Sequence, residues 1–200
     1  LIGRNGKGKT TLLHLLMGKY PYKGEISTNA FFDYFPFQVQ KTERLTADVL
    51  EDMDPQYEFW KVMREMNDLH MSEELLFRPF QTLSYGERTK IELAVLFAKE
   101  NAFLLLDEPT NHLDVEGRKI VADYLSKKQG FILVSHDRAF LDGCVDHILS
   151  INRNSIEVQK GNFSSWYENK KGKDQFELAE NAKIKKELKH LKEASKRTGD

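Results

Sequence analysis

The sequence predicts an α/β fold built on a parallel, doubly wound sheet. Three observations carry that reading: short apolar runs alternate with amphipathic helical stretches, a glycine-rich loop opens straight into a helix, and the most apolar run ends in two adjacent carboxylates. Sheets of this kind bind ligands at the carboxyl ends of their strands, so the loop and the carboxylates are expected to meet at one edge.

The elements follow in order. Thr10 to Met17, with Leu12, Leu13, Leu15 and Leu16, reads as a buried helix that Gly18 ends. Glu25-Ile26 and Phe31 to Phe35 read as short strands separated by polar turn residues. From Thr46 to Phe77 apolar residues recur three and four apart, Tyr57, Trp60, Met63, Met66 and Leu69 among them, which predicts a helical insertion that Pro79 closes. Ser84 to Lys99 is a further helix, with a nearly all-apolar face formed by Ile91, Leu93, Ala94, Val95, Leu96 and Phe97. Ala102 to Leu106 suits a central strand buried on both sides. Val115 to Lys127 is helical, Phe131 to Val134 is another buried strand, and Val145 to Ile151 with Ser155 to Gln159 resembles a hairpin.

Beyond Phe163 the composition shifts. Residues 170 to 200 hold ten Lys or Arg against six Asp or Glu, and Ile184, Leu188 and Leu191 lie at i, i+4, i+7, with Phe176 two turns earlier. One narrow apolar stripe on a charged helix predicts a long arm packing on another helix. The basic excess also suits contacts to a nucleic-acid backbone, although a solvated helix explains it equally.

Composition excludes little. Thirty Lys and Arg nearly balance thirty-one Asp and Glu, so net charge names no partner. The single cysteine, Cys144, rules out an intramolecular disulfide, fits a reducing compartment and lies in no activating motif. No apolar run approaches the ~18–20 residues that cross a bilayer, so a cytoplasmic protein without a membrane partner is expected. Leu1-Ile2 is too short for the strand that normally precedes a phosphate loop. The expectation is a fragment whose first strands, and any adenine-stacking aromatic, lie upstream.

Two motifs carry chemistry. Gly3, Arg4, Asn5, Gly6, Lys7, Gly8, Lys9 and Thr10 fit the P-loop pattern GxxxxGK[ST]. Its glycines let backbone N–H groups curl around phosphates, Lys9 reaches the β/γ oxygens, and Thr10 ligates Mg²⁺. The following helix, with Thr11 in its first turn, presents its positive end to the same anion. Phe103 to Glu108 fits a Walker B strand: Asp107 is the expected Mg²⁺ ligand through water, and Glu108 is placed to orient or deprotonate the attacking water. A nucleotide phosphate with Mg²⁺ is the expected ligand.

Further motifs bring a family into view. Leu83-Ser84-Tyr85-Gly86-Glu87 resembles the ABC signature. The run Asp107-Glu108-Pro109-Thr110-Asn111-His112-Leu113-Asp114 is similar to that of the ABC-F family, and Ser135-His136-Asp137 to its switch histidine. Gly130 to Phe140 resembles the Lsa-type antibiotic-resistance members. The resemblance implies an ABC ATPase domain over 1–160 with a helical subdomain over about 46–100, and the start of an interdomain linker helix over 161–200. It further implies that Ser84, Gly86 and Glu87 meet the ATP held by an opposite domain, that His136 senses the γ-phosphate, and that Asp114 lies at the dimer seam. The implied partners are a second ABC domain, in the same chain or a homodimer, and the ribosome with its rRNA and tRNA. The implied role is protection from lincosamide, streptogramin A or pleuromutilin drugs. A housekeeping translation factor and a membrane-transporter motor are the alternatives.

Two positions depart from the family pattern. Tyr85 stands where the signature has its first glycine. In Tyr34-Phe35-Pro36-Phe37-Gln38, Phe37 occupies the Q-loop glutamine's place, leaving Gln38, or else Gln40, as the Mg²⁺ and water ligand.

Overall fold

The structure is a computed structural model that describes residues 1–3, 6, 8–152 and 155–197. The side chains of residues 177, 186, 187 and 189–197 fall outside the description, and so do the loop residues Arg4, Asn5 and Lys7 and the stripe residue Leu191. The chain divides into two compact units, Leu1–Asn162 and Phe163–Asp200.

The first unit is organised on a three-stranded parallel sheet in the order β1 (Phe31–Phe35), β2 (Ala102–Asp107), β3 (Phe131–Val134). Register pairs Phe35 with Leu106, and Asp107 with Val134, so all three strands end at the same edge. Leu104, Leu105 and Leu106 are buried, as the apolar run requires of a central strand. Ile2 is held by backbone bonds to Leu149 (2.8 Å) and Ile151 (3.0 Å). It thus runs parallel to Ser150 and launches the glycine loop from the strand β4 (His147–Ile151), which pairs antiparallel with β5 (Ile156–Lys160).

Helix α1 (Lys9–Leu16) buries Leu13 against Leu105 and Val134, and this contact seats the loop on the sheet. The helical insertion consists of α2 (Thr46–Met53), α3 (Phe59–Asp68) and short 3-10 turns at Glu73–Phe77 and Phe80–Thr82. Helix α4 (Tyr85–Ala98) packs on α3 and starts at a capping box of Ser84 and Glu87: Ser84 Oγ accepts from Glu87 N at 3.2 Å, and Glu87 Oε2 accepts from Ser84 N at 2.7 Å. Helix α5 (Val115–Ser126) leads to β3.

Three details differ from the sequence reading. Glu25-Ile26 forms no strand, because the segment lies exposed, with no neighbour to complete a ladder. The stripe of α3 runs through Val62, Met66 and Leu69, while Trp60 faces outward beneath the cations of Lys61 and Arg64, ~5–6 Å from the ring centre. A short helix α6 (Arg138–Cys144), absent from that reading, follows β3 and is capped by Asp137, whose Oδ1 accepts from Phe140 N at 3.1 Å. It carries Cys144, whose thiol burial pushes up to about 12, in keeping with a core residue.

The second unit is one helix, α7 (Phe163–Arg197). Phe176, Ile184 and Leu188 are exposed on it. Among the described residues, no helix is long and apolar enough to cross a membrane.

Candidate nucleotide site

The phosphate loop needs its glycines. Gly6 and Gly8 have φ of 74° and 86°, a left-handed backbone that side chains disfavour. Gly8 caps α1, and Lys9, almost buried, donates from Nζ to the Gly3 carbonyl at 3.0 Å, closing the loop on itself. Thr10 sits one residue on and donates from Oγ1 to Asp107 Oδ2 at 2.7 Å, joining loop to strand across 97 residues of sequence. Thr11 is exposed in the same helical turn.

The hydroxyl of Tyr34 also donates to Asp107 Oδ2, at 3.0 Å. Burial and the neighbouring carboxylate push this phenol well above its ordinary range, so it stays a donor. Sequence reading had assigned Tyr34 no role. Its position three residues before Phe37, on the strand paired with β2, is the signal that was available.

Glu108 adopts φ 53°, a left-handed conformation that costs a non-glycine residue about 1–2 kcal/mol. Its N–H donates to the Val134 carbonyl at 2.9 Å, which pins the turn. Burial raises the carboxyl above the usual carboxylate range, and His136 opposes that shift. His136 donates its backbone N–H to Glu108 Oε2 at 3.3 Å and brings Nε2 within 3.3 Å of Oε1, without the alignment of a hydrogen bond. Among the described residues, Oε1 is therefore a buried acceptor with no hydrogen-bond partner. A bound water would meet that need. Thr110 Oγ1 and Ser135 Oγ lie 3.2 Å apart beneath this turn, and Ser135 also accepts from Asp137 N at 3.1 Å. These bonds fix His136 beside the end of β2.

Ser84, Gly86, Glu87 and Asp114 form a separate group around a cavity of about 480 Å³. Gly86 lies against the loop before α5: a Cβ there would sit 3.5 Å from the Leu113 side chain and 3.6 Å from the His112 carbonyl, in ordinary contact. Asp114 caps α5, its Oδ1 accepting from Gly117 N at 2.7 Å. Tyr85 is 64% exposed, with its ring 5.0 Å from that of His112 and the Arg88 guanidinium 5.1 Å from its centre. Among the described residues, no hydrogen bond or ion pair joins this group to Lys9, Thr10 or Asp107.

Gln38 and Gln40 lie on the exposed segment after the cis Phe35–Pro36 bond, and no hydrogen bond brings either to Asp107 or Glu108. That segment is anchored instead through Phe37, whose N–H donates to Glu92 Oε2 at 3.1 Å. Glu92 is 8% exposed, and burial pushes its carboxyl up to about 7. A larger cavity of about 740 Å³ between β3, α6 and β4 contains none of the motif residues.

Residues 1–111, more than half of the protein, match the family described as ABC transporter. The chain belongs to that family. It is an ATPase domain of the ABC fold. The ABC domain is 38% identical over 183 residues to the erythromycin resistance ATP-binding protein MsrA of Staphylococcus epidermidis, covering 88% of this chain and 33% of that protein. It is 36% identical over 168 residues to the ribosome protection protein VmlR of Bacillus subtilis (strain 168), covering 80% and 30%. To the ABC transporter F family member 5 of Arabidopsis thaliana it is 28% identical over 204 residues, covering 98% and 30%. The chain thus spans about a third of the length of these curated relatives. Among solved structures, a metal-chelate-type ABC transporter in an inward-facing conformation superposes with a TM-score of 0.66 at 25% identity, covering 80% of this chain and 70% of that one.

Proposed function

We propose that this ABC domain is one half of a paired-domain ATPase of the ABC-F branch that acts on the ribosome. The observation that carries the pairing is the division of the motif residues into two groups. Lys9, Thr10, Asp107, Glu108 and His136 converge at the sheet edge, while Ser84, Gly86, Glu87 and Asp114 surround a separate cavity. Each group is half a site, completed by the complementary group of another domain. That other domain is either a second one in the same chain or a second copy.

The residues at the sheet edge fit ATP with magnesium. A threonine hydroxyl beside a carboxylate offers the hard oxygen donors this cation takes, and the loop amides and Lys9 offer donors to phosphate oxygens. When bound, Mg-ATP supplies the transferable γ-phosphoryl group and the cation that neutralises its charge. Thr10 and Asp107 would hold the cation, and the loop from Gly3 to Thr11 would bind the phosphates. Glu108 holds the water that its buried Oε1 can accept from and takes its proton, an action suited by a carboxyl raised toward neutrality. His136 orients Glu108 and reaches the γ-phosphate. Gln38, or Gln40, would add a ligand to the cation in the closed pair.

The ABC-F placement draws on the relatives named above and on the DEPTNHLD run at 107–114. On this reading α7 begins the interdomain linker, its lysines face backbone phosphates of RNA, and the protein is cytoplasmic. A resistance role draws support from the similarity to MsrA, named for erythromycin resistance, and its direction against lincosamide, streptogramin A or pleuromutilin drugs rests on the resemblance at Gly130 to Phe140 alone. Co-sedimentation of full-length Glu108→Gln protein with ribosomes in ATP tests the reading. Binding that needs ATP is expected, and no binding would sink it. Expression in a sensitive host then separates the two ribosomal roles: raised drug tolerance supports protection, and unchanged tolerance supports a housekeeping factor.

A further inference from the structure

Helix α4 buries Ile91, Leu93, Ala94, Val95 and Leu96, and in the middle of that run it also buries a carboxylate, Glu92. Burying an ionisable group among apolar neighbours costs stability unless a partner repays it. Among the described residues, no cation lies within ion-pair distance of Glu92. Arg88, one turn earlier, spends its guanidinium on the carbonyls of Leu83 (3.1 Å) and Gln81 (2.6 Å). What Glu92 does hold is the loop: Phe37 N–H donates to its Oε2 across 55 residues of sequence. The bond spans a cavity of about 290 Å³ that Asp107, Glu108 and His112 also line.

The two ends of this bond belong to different halves of the proposed chemistry. On one side, Phe37 immediately precedes Gln38, the candidate cation ligand, in the segment that leaves β1. On the other, Glu92 lies two turns along the helix whose capped start, Ser84, faces the opposite domain. We propose that Glu92 is a positioning residue that couples the two composite sites, because its hydrogen bond from Phe37 N–H makes the segment from Pro36 to Gln40 move with helix α4. This rests on the paired-domain reading above. The carboxylate transmits the position of the segment to the signature end of α4, and the position of α4 back to the segment. A hydrophobic residue would pack on α4 at least as well but would release the loop.

Phosphate release by the full-length protein, followed over a range of ATP concentrations, tests the coupling. Glu92→Leu removes the acceptor and is expected to lower kcat about tenfold to a hundredfold, with KM for ATP changed less than about threefold. Glu92→Gln keeps an acceptor for Phe37 N–H and is expected to restore kcat to within about threefold of the parent. Phe37→Pro deletes the donor from the loop side with α4 untouched, so it should reproduce the Leu phenotype even if the Leu variant folds poorly. Amide exchange of the peptide containing Phe37 should quicken in Glu92→Leu and not in Glu92→Gln. Unchanged kcat in both Glu92→Leu and Phe37→Pro would overturn the coupling while leaving the ATPase reading intact. Absence of hydrolysis by the parent protein would overturn both.

Discussion

At the scale of single residues, the loop and the strand meet on one atom, Asp107 Oδ2, which accepts from both Thr10 and Tyr34. Tyr34 orients a carboxylate that Thr10 alone would leave free to rotate. Tyr34→Phe is therefore expected to raise the Mg²⁺ concentration for half-maximal ATPase about tenfold, the usual scale for losing a group that positions a metal ligand, which a Mg²⁺ titration at saturating ATP measures. Glu92 sets a pH dependence of stability. Its carboxyl titrates at about 7 when folded and near the ordinary 4.5 when unfolded, so folding takes up a proton between those values. The contribution is complete below about 4.5 and is lost as the pH rises through 7. Glu92→Gln lacks this loss and should exceed the parent in stability at pH 8 by up to about 3 kcal/mol, with the gap closing near pH 5. Urea melts at the two pH values read it directly.

At the scale of elements, the insertion is tied to the sheet through a buried cluster. Glu65 of α3 is 1% exposed, accepts from the Tyr124 hydroxyl of α5 at 2.7 Å, and is paired with Lys128 just past that helix. Lys128 also lies 4.7 Å from the Tyr124 ring centre. Tyr124→Phe should cost about 1–3 kcal/mol by leaving a buried carboxylate short of a donor, and Lys128→Met about 1–3 kcal/mol, because Arg64 Nη2, 3.1 Å from Glu65 Oε1, remains as a second cation. Chemical denaturation ranks the two. The cap of α4 is a smaller effect: Ser84→Ala should cost about 1 kcal/mol. These elements differ in how far the sequence reveals them. Ser84 and Glu87 stand three apart, so their box can be read from local spacing. Besides the adjacent Arg64, Glu65 finds Tyr124 and Lys128, 59 and 63 positions away, and within α3 it looks like any solvated charge. The same distance hid Glu92, a lone charge in an apolar run whose partner Phe37 lies 55 positions away.

At the scale of the whole molecule, the parallel sheet was legible because its strands are short and largely apolar, Asp33 of β1 apart, and the phosphate loop because its glycine and lysine spacing suits wrapping an anion. Asp107 and Glu108 were legible from their place at the end of the central strand. The left-handed turn at Glu108 was not, because it depends on the Val134 carbonyl from a strand met only in the fold. Neither was the anchoring of the segment after β1: its glutamines stand on exposed backbone, and the group that holds it is on another helix. Glu108 is the residue on which the hydrolytic reading turns, and phosphate release by the full-length Glu108→Gln protein, with ATP affinity measured alongside, tests it most directly. The expected result is ATP bound within about threefold of the parent affinity and release slowed by at least about a hundredfold, the lower range of a general base. Release at the parent rate would contradict the account.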